Sequence, residues 1–276
     1  MAASNTVIDQ SSGLSKRLSE LVISGRRLND DSASSEDTLN NAVRELRPYI
    51  EAKCIAIGAT LTHKKTMTLY ECQEYFHKCG GPSPNKENES VYMKPDGGVF
   101  VIHFIDGQSI PILIIEDKVQ GTNDLLFEQN KKRQATGNAI ERGAKNIRGA
   151  EMLFANLPIF PYVMFASGCD FHSSETIAKR IEMMNMGFPN HYIGITPAMT
   201  SDEMNGKIQN ILQNIDIHKK CGKGVASVFV KSHKWDEMKH GSSLWKKDEI
   251  IVICKRVIDE VFSVLPQVQH IANIIS

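Results

Sequence analysis

No stretch of this sequence approaches the roughly 20 consecutive apolar residues that a membrane-spanning helix requires. The longest runs, such as Ile112–Ile115 and Ile250–Cys254, stop far short of that length. The opening residues Met1–Ser12 lack the charged start and greasy stretch of a secretory signal, so a soluble intracellular protein is expected. Cysteine is sparse: the six residues Cys54, Cys72, Cys79, Cys169, Cys221 and Cys254 form no CxxC pair and cannot make a disulfide scaffold. Cys72, His77 and Cys79, with His218 and Cys221, resemble a metal cluster only loosely, because zinc sites carry two tight ligand pairs. Reduced, buried thiols are the expectation. Walker A, GxGxxG, HExxH and GxSxG patterns are all missing, which leaves nucleotide hydrolysis, dinucleotide binding, zinc proteolysis and serine hydrolysis without an anchor. Net charge is missing too, with 32 Lys+Arg against 32 Asp+Glu. That balance hides a local field: residues 131–150 carry Lys131, Lys132, Arg133, Arg142, Lys145 and Arg148 against Glu141 alone.

What is present is ordinary globular material, 41% hydrophobic and 23% charged over 276 residues. Residues 1–13 read as disordered and 14–276 as one domain. Helical spacing of Leu39, Ala42, Val43 and Leu46 predicts a helix over Ser35–Arg47, capped by Ser35 and closed by Pro48. Further helices are expected over Thr68–Lys78, Ala135–Leu153, Ile177–Met186 and Lys247–Leu265. The strongest β signal is Val99–Ile105 and Ile110–Val119 around Asp106-Gly107, a hairpin mark. Tyr162–Ala166, His191–Ile195 and Val225–Val230 read as further strands. Strands alternating with helices after a leading hairpin predict a mixed α/β layer structure.

Two segments carry chemistry. The sequence KPDGG leads into the hairpin and IIEDK leaves it. A turn near Gly107 brings Glu116 back to the neighbourhood of Gly98, beside Asp96. Strand alternation points Glu116 and Lys118 one way and Asp117 the other. Asp96, Glu116 and Lys118 then cluster as two acids and one amine. Close carboxylates repel unless a cation sits between them, and Mg²⁺ takes oxygen ligands while keeping several waters. Lys118 beside it would offset negative charge developing on a phosphate. The plain alternative is a solvated hairpin edge whose charges prevent sticking.

The second segment lies at 134–147. Asn138, Glu141, Arg142, Lys145 and Asn146 fall on one helical face, while Ile140, Ala144 and Ile147 form the opposite, core-directed stripe. Asn pairs with adenine N6 and N7, Glu accepts from an exocyclic amine, and Arg donates to purine N7 or O6. Gly137 and Ala139 let the helix start approach base edges, and Lys131 and Lys132 lie upstream where they can hold phosphates. Double-stranded DNA is the expected partner. A wet surface with no partner is the plain alternative.

KPDGG, then IIEDK, then GNAIERGAKNI resembles the EcoRI-type restriction endonucleases, most densely over residues 93–165. The resemblance implies a central mixed five-stranded sheet flanked by helices (the PD-(D/E)xK nuclease fold), a homodimer, and a companion DNA methyltransferase acting on the same site. It implies Asp96 and Glu116 as ligands of Mg²⁺ and Lys118 as the catalytic amine. It further implies Asn138, Ala139, Glu141, Arg142, Lys145 and Asn146 as groove-reading or supporting residues for an AATT core, with Gln134 and Arg180 near the outer base pair; Ala135 and Gly137 are further candidates for DNA contact. A second arginine expected near that pair is Ile177 here. A type II restriction endonuclease cutting GAATTC to leave 5′-phosphate ends, in a prokaryotic cytoplasm, is the leading expectation. The alternatives are a repair or structure-specific nuclease of the same core, and a DNA-binding protein that merely displays acids.

Overall fold

The computed structural model describes residues 30–78, 81–119, 130, 146–155, 157–168, 171, 174–184, 191–195, 199–214, 217–218, 227–231 and 245–275. The expected disordered segment 1–13 and residues 131–145 of the groove-facing segment lie outside them.

The hairpin forms where its turn chemistry placed it. Gly107 takes a φ of 87°, open to glycine without strain, and the Phe104 N–H donates to Gln108 O at 2.9 Å. The flanking runs are β4 (Gly98–His103) and β5 (Ser109–Val119), antiparallel, with Gly98 facing Ile115 and a bulge between Phe100 and Val101. Ile110, Ile112, Leu113, Ile114 and Ile115 are all fully buried. A strand apolar on both faces belongs inside a sheet, not at its edge. The second half of β5 accordingly pairs parallel with β6 (Tyr162–Ser167), Glu116 lying opposite Met164.

Beyond β6 the sheet continues in parallel through β8 (Ser227–Lys231) and β7 (His191–Ile195). The mixed sheet expected from the sequence is present, and the five expected strands are joined by a sixth. This is β1 (Thr60–Lys64), antiparallel to β4 at the edge, giving the order β1-β4-β5-β6-β8-β7. Its sequence TLTHK offers little apolar alternation, so pairing and not pattern makes it a strand. Short β2 (Met67–Thr68) and β3 (Tyr92–Met93) form a separate pair.

Helices flank the sheet. The first, α1 (Asp30–Ala56), corrects two sequence expectations: it does not start at Ser35, and it does not end at Pro48. Proline removes one backbone donor and usually kinks or breaks a helix. Here the apolar stripe continues past it through Ile50 and Cys54, both buried, and that burial outweighs the lost bond. Ser35 sits inside the helix and does not cap it. The same holds for α5 (Lys247–Ile275), which runs on through Pro266 to bury Val268.

The second helix, α2 (Leu69–Lys78), opens with a reciprocal cap. Glu71 N–H donates to Thr68 Oγ1 at 3.1 Å, and Thr68 N–H donates to Glu71 Oε2 at 2.7 Å. Beyond the helical residues 146–151, α3 (Ser174–Met184) starts three residues before the expected Ile177. The next, α4 (Ser201–Asn214), was not expected, although Thr200 and Glu203 form the same kind of cap.

Helices α1 and α5 pack together, and Asp259 joins them by accepting from Tyr49 Oη at 2.5 Å and from Lys53 Nζ at 2.8 Å. Burial works against the Asp259 carboxylate, but Lys53 and Tyr49 outweigh it and lower its pKa. A lowered acid pKa stabilises the fold above the ordinary carboxylate range and is lost as pH falls through it. Asp259→Ala should therefore lower the melting temperature at pH 7 by about 2–4 °C, after discounting for exposure. The gap to the parent protein should close in melts run at successively lower pH below about 4.

Candidate active site

The site grows from an accident of strand length. β4 begins at Gly98, opposite Ile115, so β5 runs on through Glu116, Asp117 and Lys118 with no strand on that side among the described residues. The turn 95–98 fills the vacant edge. Gly98 N–H closes it on Pro95 O at 3.0 Å, Gly97 N–H donates to Ile115 O at 2.9 Å, and Asp117 N–H donates to the Asp96 carboxylate at 3.2 Å. Asp96 thus takes the place of a ladder partner and is brought beside Glu116 and Lys118.

The three side chains meet as the sequence predicts. Lys118 Nζ donates to Asp96 Oδ2 at 2.8 Å and to Asp117 O at 2.9 Å, and it forms an ion pair with Glu116 Oε1. Glu116 is 1% exposed, whereas the Asp96 side chain is 40% exposed, so one acid is sunk in the sheet and the other faces solvent. Burial pushes the Glu116 carboxyl above its usual range despite Lys118. Burial also opposes the Lys118 ammonium, but the Glu116 and Asp96 charges outweigh it and hold the amine protonated. Asp117 points away, as alternation requires. Its Oδ2 accepts from Ser35 Oγ at 2.6 Å, and burial pushes its pKa up to about 6.

Both carboxylates contact one ammonium, so their oxygens converge on a point that a small cation suits. Among the described residues no group of three or more His, Cys, Asp or Glu is placed to hold a metal. Two carboxylates, with water and substrate oxygens, are what Mg²⁺ asks for, since it binds one or two carboxylates and keeps most of its waters. The residues fit that ion. Cys72 is buried as a free thiol, in keeping with the plain reading of the cysteines.

Of the expected groove-facing residues, Asn146 is described, and its Nδ2 donates to Glu116 Oε1 at 2.6 Å. The segment expected to face the groove thus ends in an amide bonded to the buried acid. Lys131, Lys132, Gln134, Ala135, Gly137, Asn138, Ala139, Glu141, Arg142 and Lys145 fall outside the described residues. Arg180 lies half-buried on α3, one turn from Ile177, which is fully buried in the core. An isoleucine there is consistent with a packing position.

Sequence reasoning missed His63. From the edge strand β1 its ring stacks on Phe100 at 4.4 Å, and its Nε2 lies 2.9 Å from Gly97 O. A carbonyl only accepts, so Nε2 carries the proton. Burial lowers the His63 pKa, keeping the ring neutral in that role. No local pattern marks this histidine, because its partner is 34 residues away.

A sequence model of the restriction endonuclease EcoRI family matches residues 87–268. The type II restriction enzyme RsrI of Cereibacter sphaeroides is 29% identical over 167 residues, covering 53% of this chain and 58% of that enzyme. The type II restriction enzyme EcoRI of Escherichia coli is 36% identical over 92 residues, covering 30% of this chain and 32% of that enzyme. The chain thus matches between about a third and three fifths of the length of these relatives.

Proposed function

The chain belongs to the EcoRI restriction endonuclease family, and from that premise we propose that it is a type II restriction endonuclease hydrolysing both strands of DNA at a short palindrome. The observation that carries the reading is the convergence of Asp96, Glu116 and Lys118 at the end of β5. Asp96 and Glu116 would hold Mg²⁺, which when bound supplies the positive charge that polarises the scissile phosphate and activates water. Lys118, held protonated and tethered to the backbone at Asp117 O, donates to a phosphate oxygen and offsets the charge that builds there. The exposure of Asp96 leaves that side open to a phosphate. The depth of Glu116 keeps its carboxylate in one orientation.

The site sequence is proposed from the residues of the groove-facing segment. Asn138, Glu141 and Arg142 have the hydrogen-bonding groups for an AATT core, and Lys131 and Lys132 the charge for phosphates. GAATTC is the site we propose, with cleavage leaving 5′-phosphates. A twofold site calls for a twofold protein, so a homodimer is proposed. A companion methyltransferase is proposed to protect the same site in the host.

Digestion of a sequenced plasmid tests the reading. With Mg²⁺ the protein should give discrete fragments whose ligatable ends map to GAATTC, and chelation should stop the reaction. Discrete cuts at another palindrome would overturn the base assignment alone. A smear from cutting at every sequence would overturn the restriction reading and favour a nuclease without site choice.

A further inference from the structure

The acidic site has a neighbour that none of the preceding chemistry uses. Tyr162 opens β6 opposite Ile114, two positions before Met164, the partner of Glu116. Residues paired across parallel strands share a face, so Tyr162 lies on the face of Ile114, Glu116 and Lys118, diagonal to the acid. Diagonal neighbours are within reach of an aromatic side chain. Tyr162 is 1% exposed, and its ring stacks on Phe160 at 5.9 Å with 14° between the planes, which fixes its direction. Its hydroxyl is buried and has no hydrogen-bond partner among the described residues. Glu116 and Asp96 both bear on this hydroxyl electrostatically and, after burial itself, hold the phenol's pKa well above its ordinary value. It is therefore an O–H donor at any working pH.

A buried hydroxyl without a partner is destabilising and rare. Phenylalanine would fill this position without that cost, as it does at Phe160 and Phe165 in the same core. Glu116 is correspondingly short of a donor. Its Oε1 is engaged by Asn146 and Lys118, but among the described residues its Oε2 has only the Asp96 N–H at 3.4 Å, long for such a bond. We infer that Tyr162 is a positioning residue of this site: its hydroxyl, unpartnered among the described residues, donates to Glu116 Oε2 once a divalent cation draws that carboxylate into its binding orientation. The inference rests on the reading of Asp96 and Glu116 as metal ligands.

Binding of Mn²⁺ to the full chain, followed through the paramagnetic resonance of the free ion, tests it alongside metal-free melting curves. Tyr162→Phe should bind Mn²⁺ about tenfold more weakly, the worth of one hydrogen bond to a charged group. It should melt at or above the parent temperature, because the orphan hydroxyl is gone. Its turnover with DNA should fall while KM for DNA stays unchanged. Equal Mn²⁺ affinity in Tyr162→Phe and the parent would overturn the inference. So would weaker binding accompanied by a clearly lowered melting temperature, which would mark Tyr162 as a packing residue. Glu116→Gln serves as the control. If it binds Mn²⁺ like the parent, the metal-ligand reading itself fails and this inference falls with it.

Discussion

Glu116→Gln should abolish cleavage, by roughly 10³-fold or more, while leaving specific DNA binding intact. The substitution keeps the shape of the side chain and an oxygen for Asn146 to donate to, but it removes the charge. With that oxygen kept toward Asn146 and Lys118, the new amide donor faces the Asp96 N–H, which Glu116 Oε2 now accepts. The fold should tolerate this, because burial already disfavours the charged carboxylate and Lys118 keeps Asp96 as a partner. Binding should hold or tighten, since negative charge is removed from the proposed phosphate site and Asn138, Glu141 and Arg142, the residues proposed to read bases, are unaltered. Plasmid nicking in Mg²⁺ and gel mobility shifts in Ca²⁺ separate the two properties. Cleavage at the parent rate would show that the carboxylate is dispensable.

Gly98→Ala should be the most damaging small substitution in the hairpin. Gly98 has a φ of 78°, which a side chain disfavours by about 1–2 kcal/mol. A Cβ there would also lie 2.5 Å from His63 Nε2 and 2.7 Å from Lys64 O. The second contact is with the backbone of the paired edge strand and cannot be relieved by a rotamer change. Together these should cost about 3 kcal/mol, or about 6–12 °C in melting temperature.

The damage should reach activity as well. A displaced His63 releases Gly97 O, and the turn that presents Asp96 loses its brace. Misplacing a catalytic group by about an ångström costs on the order of 10²-fold. Gly107→Ala provides the comparison: it shares a positive φ of 87°, but no atom lies within 4 Å of its Cβ position, so only the conformational cost applies. Equal melting temperatures for Gly98→Ala and Gly107→Ala would contradict the steric account.

Local chemistry made the hairpin legible. Asp106-Gly107 between two β-rich runs sets both the turn and the register, and the register brings Glu116 back to Asp96 across 20 residues. Helix ends were less legible. Pro48 and Pro266 look like stops, yet both helices continue because the apolar stripe beyond each is buried against the rest of the fold. α4 illustrates the reverse: its cap, Thr200 to Glu203, is readable, but Gly206 and three asparagines weaken the helical pattern that follows.

The amino-acid sequence by itself determined the cluster of two acids and an amine on a hairpin, because strand alternation and turn chemistry act over a few residues; the base-matching face it predicts over 138–145 lies outside the described residues. The tertiary structure alone decided how that chemistry is held. His63 comes from an edge strand that exists only by pairing, Ser35 reaches Asp117 from a helix 82 residues away, Asn146 ends on Glu116, and Tyr162 arrives on a parallel neighbour. Such contacts depend on which surfaces meet when the sheet closes its core, and no local pattern carries that information.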